Sequence, residues 1–281
     1  MIQASTGGRL SWIIRGLTLL IAFLSPPAGS LGIAMVLLAL GIPHGAADHL
    51  IFRSRQSAGS AFSVFAFAVY YVGVIGSYTL IWWWWPAVAL LLFLAVSVYH
   101  FGQPHGGNLA DRLLWGTFVL GFPVLYHYPQ AEPIITGMLG YRVDLPAGWS
   151  GGIPALLVTA NVSFALLNRQ WARLLDLVIL VAVYLGTDLL LGFAVFFLLW
   201  HSLPALVEQW RYLTRHRLTR GWSTYLLQLL PLSLGAFVSM GVAYLLLHAR
   251  GPQTPDLSYL FIMVSLITLP HALLVDRVYR P

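Results

Sequence analysis

The chain has 281 residues, of which 59% are hydrophobic and only 9% charged, and its mean hydropathy is +0.79. A soluble domain carries about a quarter charged residues, so this composition excludes one. All 15 basic residues are arginine, and the net charge of +6 falls between apolar stretches, which reads as membrane topology and excludes a nucleic-acid face. The absence of cysteine excludes disulfides, thiolate metal sites, iron–sulfur clusters and cysteine nucleophiles, leaving histidine, carboxylate and backbone as the groups able to hold a metal.

Apolar runs long enough for a bilayer core follow one another with short polar gaps. In chain order they predict helices over roughly 10–25, 30–52, 60–81, 85–105, 110–128, 151–167, 172–187, 189–212, 223–248 and 257–279. The expectation is an all-α polytopic membrane bundle of about ten helices (eight to ten), forming one domain over residues 1–281. Arg9 and Arg15 before LTLLIAFL, followed by SPPAGS, have the outline of a secretory signal, but the later loop charges fit an uncleaved first helix better. Between 129 and 150, Pro129, Pro133, Gly137, Gly140 and Pro146 predict an exposed loop or a shallow re-entrant turn.

With a cytoplasmic N-terminus, thirteen arginines fall on the inner side, and only Arg142 and Arg250 fall outside. That asymmetry predicts an even number of helices with both termini inside. The run WWWWP at 82–86 then lies at the outer interface, where indoles anchor well.

GIPHGAADHL at 41–50 places polar groups where lipid is expected, and an ionisable group within a span is a site hypothesis or a hydrogen-bonded core residue. His44 lies nine residues before Arg53, His100 twelve before Arg112, His201 ten before Arg211 and His271 nine before Arg280. At about 1.5 Å per residue, each lies roughly 13–18 Å from its arginine layer. All four also stand on even-numbered spans that run in the same direction. They are therefore expected to share a depth in the inner half of the bilayer and to form a metal site. Neutral imidazoles suit Fe(II), Cu and Zn alike.

Several groups are candidates for the surrounding shell. Asp48 follows His44 by four residues and shares its helix face, Asp276 follows His271 by five, and Glu208 follows His201 by seven; Asp276 and Glu208 equally suit interfacial partners for nearby arginines. His49 and His105 stand one turn further toward the cytoplasm, as alternative ligands or a polar vestibule. His127, His216 and His248 read as interfacial. Pro43, Pro204 and Pro270, with Gly41, Gly45, Gly102 and Gly106, suit kinks beside the histidines.

Four of these segments resemble, in order, the motifs of the Brp/Blh family of membrane-embedded β-carotene dioxygenases: GIPHGAADHL at 41–50, YHFGQ at 99–103, LLWHSLPAL at 198–206 and LPHALLVDR at 269–277. The resemblance runs from about residue 30 to the C-terminus. It implies an Fe(II) centre that cleaves the central double bond of β-carotene with O2 to give two retinals, with His44, His100 and His201 among the ligands and Gln103 of the second motif in the surrounding shell. It also implies that carotenoid and lipid are the partners, that the chain is a multi-pass protein of a bacterial or archaeal inner membrane, and that its product serves a retinal-binding rhodopsin. The sequence departs from the family at Ala205, where the third motif usually carries a second histidine. Either His271 completes the ligand set, or the site has one ligand fewer and an altered or lost activity. Two other classes compete: a haem-binding electron-transfer protein with axial histidines, and a transporter with a midplane polar site.

Overall fold

The computed structural model describes residues 8–25, 30–54, 60–105, 107–248 and 256–279. All regular structure among the described residues is helical: α1 (Gly8–Leu24), α2 (Ser30–Gly41), a 3-10 turn (Ile42–Ala47), α3 (Asp48–Arg53), α4 (Ser60–Trp84), α5 (Pro86–Gly102), a second 3-10 turn (Gln103–His105), α6 (Leu109–Tyr126), α7 (Tyr128–Leu139), α8 (Trp149–Leu167), α9 (Trp171–Gly186), α10 (Leu189–Val195), a π-helical segment (Phe196–Ser202), α11 (Leu203–Arg215), α12 (Trp222–His248) and α13 (Asp256–Tyr279). Among the described residues, six helical stretches are long and apolar enough to cross a membrane: Ser30–Arg53, Val64–Trp84, Trp149–Leu167, Leu189–Arg215, Trp222–Leu246 and Leu257–Val275. Pro86–Gly102 is apolar but shorter.

The chain divides into two compact units, residues 1–41, 98–131 and 144–207 in the first and 42–97, 132–143 and 208–281 in the second. In the first, α6 packs on α8, and α9 packs on both α1 and α8. Their shared core holds Trp115, Phe118, Val119, Leu177, Leu180 and Tyr184, and the Tyr184 hydroxyl donates to the Val119 carbonyl at 3.2 Å. Buried charges bind these helices as well. Arg15 donates through Nε and Nη2 to Asp176 Oδ1 at 2.9 and 2.6 Å. Arg173 pairs with Asp111 and donates to Asn161 Oδ1 at 2.7 Å, with its guanidinium over the faces of Phe164 and Trp115 at 4.8 and 5.3 Å. These two arginines, expected among the loop charges, are instead buried partners of buried carboxylates.

Gly116 shows how closely α5 and α6 approach in this unit. A Cβ there would lie 1.8 Å from the Val98 carbonyl oxygen, a backbone atom that cannot rotate away. Gly116→Ala should force the helices apart and cost about 1–3 kcal/mol. Gly121→Ala meets the side-chain atoms Leu157 Cδ1 at 3.4 Å and Thr117 Cγ2 at 3.8 Å, ordinary contact distances, and should cost less. Thermal melts of both variants in detergent check the difference, and equal melting temperatures would contradict it.

In the second unit, α13 packs on α3, α4 and α12, and the first 3-10 turn packs on α12. Side-chain bonds lock α4 to α13: Trp82 Nε1 donates to Ser265 Oγ at 3.0 Å and the Tyr70 hydroxyl to the Pro270 carbonyl at 3.0 Å. Trp82 is buried while Trp83, Trp84 and Trp85 are 78%, 60% and 60% exposed. The 129–150 region departs from the expected loop. Its first part is α7, with Ala131, Ile134 and Met138 buried. Pro129 sits in the first turn, where a missing N–H costs nothing. Gly140, at φ +78°, ends the helix as a left-handed cap whose N–H donates to the Thr136 carbonyl at 2.8 Å.

Candidate metal centre

His44, His100, His201 and His271 are all buried, as their places within apolar runs lead one to expect. The units each bring two of them together. In the first, His100 stands at the end of α5 and His201 in the π-helical segment, with their Nε2 atoms 3.1 Å apart. A single π turn widens a helix by one residue and re-aims the side chains on it, which is why such turns concentrate at functional sites. The Trp200 indole anchors this segment by donating to Thr18 Oγ1 at 2.8 Å. Phe197 stacks on the His201 ring at 5.9 Å, and Phe101 meets it edge-on at 4.9 Å.

His100 is oriented from its other nitrogen. Its Nδ1 lies 3.0 Å from Gln103 Oε1, and Gln103 is itself buried. The chain leaves α5 at Gly102, where a Cβ would fall 2.0 Å from the Arg112 carbonyl oxygen, and the following 3-10 turn brings Gln103 back beneath the ring. With Nδ1–H donated to an amide oxygen, the lone pair of His100 is on Nε2, the atom facing His201. Two nitrogens bound to one metal at about 2.1 Å with a right angle between them stand about 3.0 Å apart. The His100–His201 separation thus fits neighbouring ligands of a single ion.

In the second unit, the His44 and His271 rings meet edge-on with centroids 4.9 Å apart. His271 donates through Nδ1 to Asp48, at 2.9 Å from Oδ1 and 3.0 Å from Oδ2, and Asp48 is fully buried. The Tyr71 hydroxyl donates to Asp48 Oδ2. Asp48 was expected to serve His44 through a shared α-helical face. The 3-10 turn at Ile42–Ala47 breaks that register, and the carboxylate serves His271 instead.

The remaining candidates fall elsewhere. His49 is tied through Nδ1 to the Ala46 carbonyl at 2.8 Å and lies edge-on to Phe67. Glu208 is half-buried on α11. The side chains of His105, Asp276 and His248 lie outside the described residues. His127 is half-buried and bonds through Nε2 to the Tyr184 carbonyl at 2.6 Å, and His216 is exposed, bonded to the Tyr212 carbonyl at 2.9 Å. Ala205 is buried in the first turn of α11. Tyr71 and Thr18 are the supporting residues the sequence did not single out; one tyrosine or threonine among many in apolar helices carries no periodic signal.

Long apolar helices that bury histidines are consistent with a helical membrane protein that carries a histidine-based candidate metal centre. The chain belongs to the beta-carotene 15,15'-dioxygenase family, whose profile matches residues 35–279. A beta-carotene 15,15'-dioxygenase of the uncultured marine bacterium 66A03 is 24% identical over 258 residues, covering 86% of this chain and 91% of that protein. No solved structure matches the chain. The family assignment agrees with the motif resemblance, and the matched region contains all four histidines.

Proposed function

We propose that this chain is a multi-pass enzyme of the cell membrane that cleaves β-carotene with O2 into two retinals, at a non-haem Fe(II) centre held by His44, His100, His201 and His271. The observation that carries the reading is the 3.1 Å approach of the His100 and His201 Nε2 atoms, with His100 fixed by Gln103. The four-histidine set rests further on the common depth read from sequence and on the second oriented pair, His44 and His271. The about-ten-helix topology with both termini inside rests on the arginine asymmetry.

Bound Fe(II) would supply the one-electron chemistry through which O2 can react with a closed-shell polyene. The chain's own residues supply the rest. Gln103 and Asp48 hold the tautomers that present His100 and His271 through Nε2. Phe101, Phe196 and Phe197 give the His201 side an apolar wall, suited to a flat conjugated substrate and hostile to water. The overall change needs no proton donor, because one C=C bond and O2 become two aldehydes. An apolar polyene reaches such a site from the lipid, and retinal leaves the same way toward a retinal-binding rhodopsin.

A haem site fits this geometry less well. Two axial histidines on opposite faces of a haem stand about 4 Å apart across the iron, beyond the separation of His100 and His201. Expression in β-carotene-accumulating cells tests the assignment. The expected result is loss of orange colour with retinal formed, and under labelled O2 both retinals carry the label when reduced to alcohols before exchange. A Soret band on the purified protein, or label in only one product, would sink the dioxygenase reading.

A further inference from the structure

We infer that Tyr71 is a positioning residue for the metal centre, acting on His271 through Asp48. This rests on the proposed iron site and assigns it a support from α4, a helix that carries none of the four histidines. The observation is a continuous hydrogen-bonded series inside the second unit. The Tyr71 hydroxyl donates to Asp48 Oδ2, and both Asp48 oxygens lie within 3.0 Å of His271 Nδ1. Asp48 is fully buried and His271 nearly so.

The chemistry gives each member a distinct task. A buried carboxylate carries about four lone-pair sites and is costly to leave under-bonded. One donor, His271, would leave the group free to rotate about its terminal torsion, which is broad for a carboxylate. The second donor removes that freedom and sets the plane of the carboxylate against the imidazole. The ring is then held as the Nδ1–H tautomer with its lone pair on Nε2, and its plane is fixed.

One neighbouring contact points the same way. Tyr70, the preceding residue, donates to the carbonyl of Pro270 at 3.0 Å, immediately before His271. Pro270 lacks an N–H and weakens the helix at this point, so the outside hydrogen bond steadies the backbone that carries the histidine. Phe67, one turn before Tyr71, touches the Tyr71 ring with centroids 4.6 Å apart and takes no part in the hydrogen-bonded series. The Tyr70–Tyr71 pair thus grips both supports of His271: its backbone and its carboxylate.

The test is anaerobic titration with Fe(II) of full-length apoprotein purified in detergent. Tyr71→Phe removes one oxygen and keeps the ring, and it should weaken Fe(II) binding by about 10- to 100-fold, the usual effect of removing an outer hydrogen-bond partner of a metal ligand. The loss should vanish in a His271→Ala background, where the series has nothing left to orient, so that Tyr71→Phe/His271→Ala binds as His271→Ala does. Phe67→Leu loosens the packing around the Tyr71 ring and leaves the hydrogen bond, and it should bind as the unaltered chain does. Unchanged affinity in Tyr71→Phe, an equal loss in Phe67→Leu, or full additivity with His271→Ala would each overturn the inference while leaving the iron centre standing. Failure of the unaltered chain to take up stoichiometric Fe(II) would overturn the centre itself, and this inference with it.

Discussion

His100→Ala and His201→Ala should each remove bound iron and abolish retinal formation, the largest functional effect expected of any single change in this chain. The two Nε2 atoms stand 3.1 Å apart, and truncating either ring removes one of the two nitrogens that define that corner of the centre. Loss of a direct ligand should exceed the about 10- to 100-fold weakening typical of an outer partner, so iron affinity should fall more than about 100-fold. Metal analysis of the purified protein and chromatography of extracts from β-carotene-accumulating cells check both parts. His44→Ala and His271→Ala should behave alike if all four are ligands, and full activity in the His271 variant would remove it from the set. His216→Ala is the control, since its exposed ring is bonded to the carbonyl of Tyr212 one turn back, and it should change neither iron nor product. Gln103→Leu belongs between these extremes: it spares the ligand and removes the acceptor that fixes its tautomer, so iron should be retained in part.

How much of this was legible beforehand follows from what each signal depends on. Long apolar stretches depend on composition alone, and their helices lie close to where the hydropathy placed them. The burial of the four histidines was legible for the same reason, since a polar residue within such a run has little choice but to face protein. Register was less accessible. The step from His44 to Asp48 assumed an unbroken α-helix, whereas the chain passes through a 3-10 turn with three residues per turn, which sends Asp48 to His271. The π-helical segment around His201 was likewise invisible, because nothing in FFLLWHS distinguishes a five-residue hydrogen-bond step from a four-residue one. Proline and glycine counts read residues 129–139 as part of an exposed loop or a shallow re-entrant turn, where the chain is helical, because proline is compatible with a first helical turn. The Arg173–Asp111 pair was hidden differently: each residue alone resembles an interfacial charge, and only the fold brings them together from positions 62 apart in sequence.

That pair carries the largest stability effect expected. Asp111→Ala leaves the Arg173 guanidinium buried, 5% exposed at its side chain, without its carboxylate. Removing one member of a buried ion pair costs about 3–5 kcal/mol, because the surviving charge keeps its desolvation penalty and loses its compensation. Asn161 and the faces of Trp115 and Phe164 still contact the guanidinium, but none of them is an anion. Arg173→Met should cost less than Asp111→Ala, since the carboxylate left behind keeps the support of the α6 N-terminus, whereas the guanidinium left by Asp111→Ala keeps only neutral partners. The double variant Asp111→Ala/Arg173→Met removes both charges and should recover much of the loss, a result that additive damage from two core substitutions would not give. The Arg142–Glu132 pair sets the scale at the other end: at 3.5 Å with the arginine side chain 71% exposed, breaking it should change stability by no more than about 1 kcal/mol. Unfolding in mixed detergent, followed by far-ultraviolet circular dichroism across the four variants, gives the ranking directly. A double variant no more stable than Asp111→Ala alone would mean that the carboxylate acts through packing and capping of α6, with the charge pair secondary.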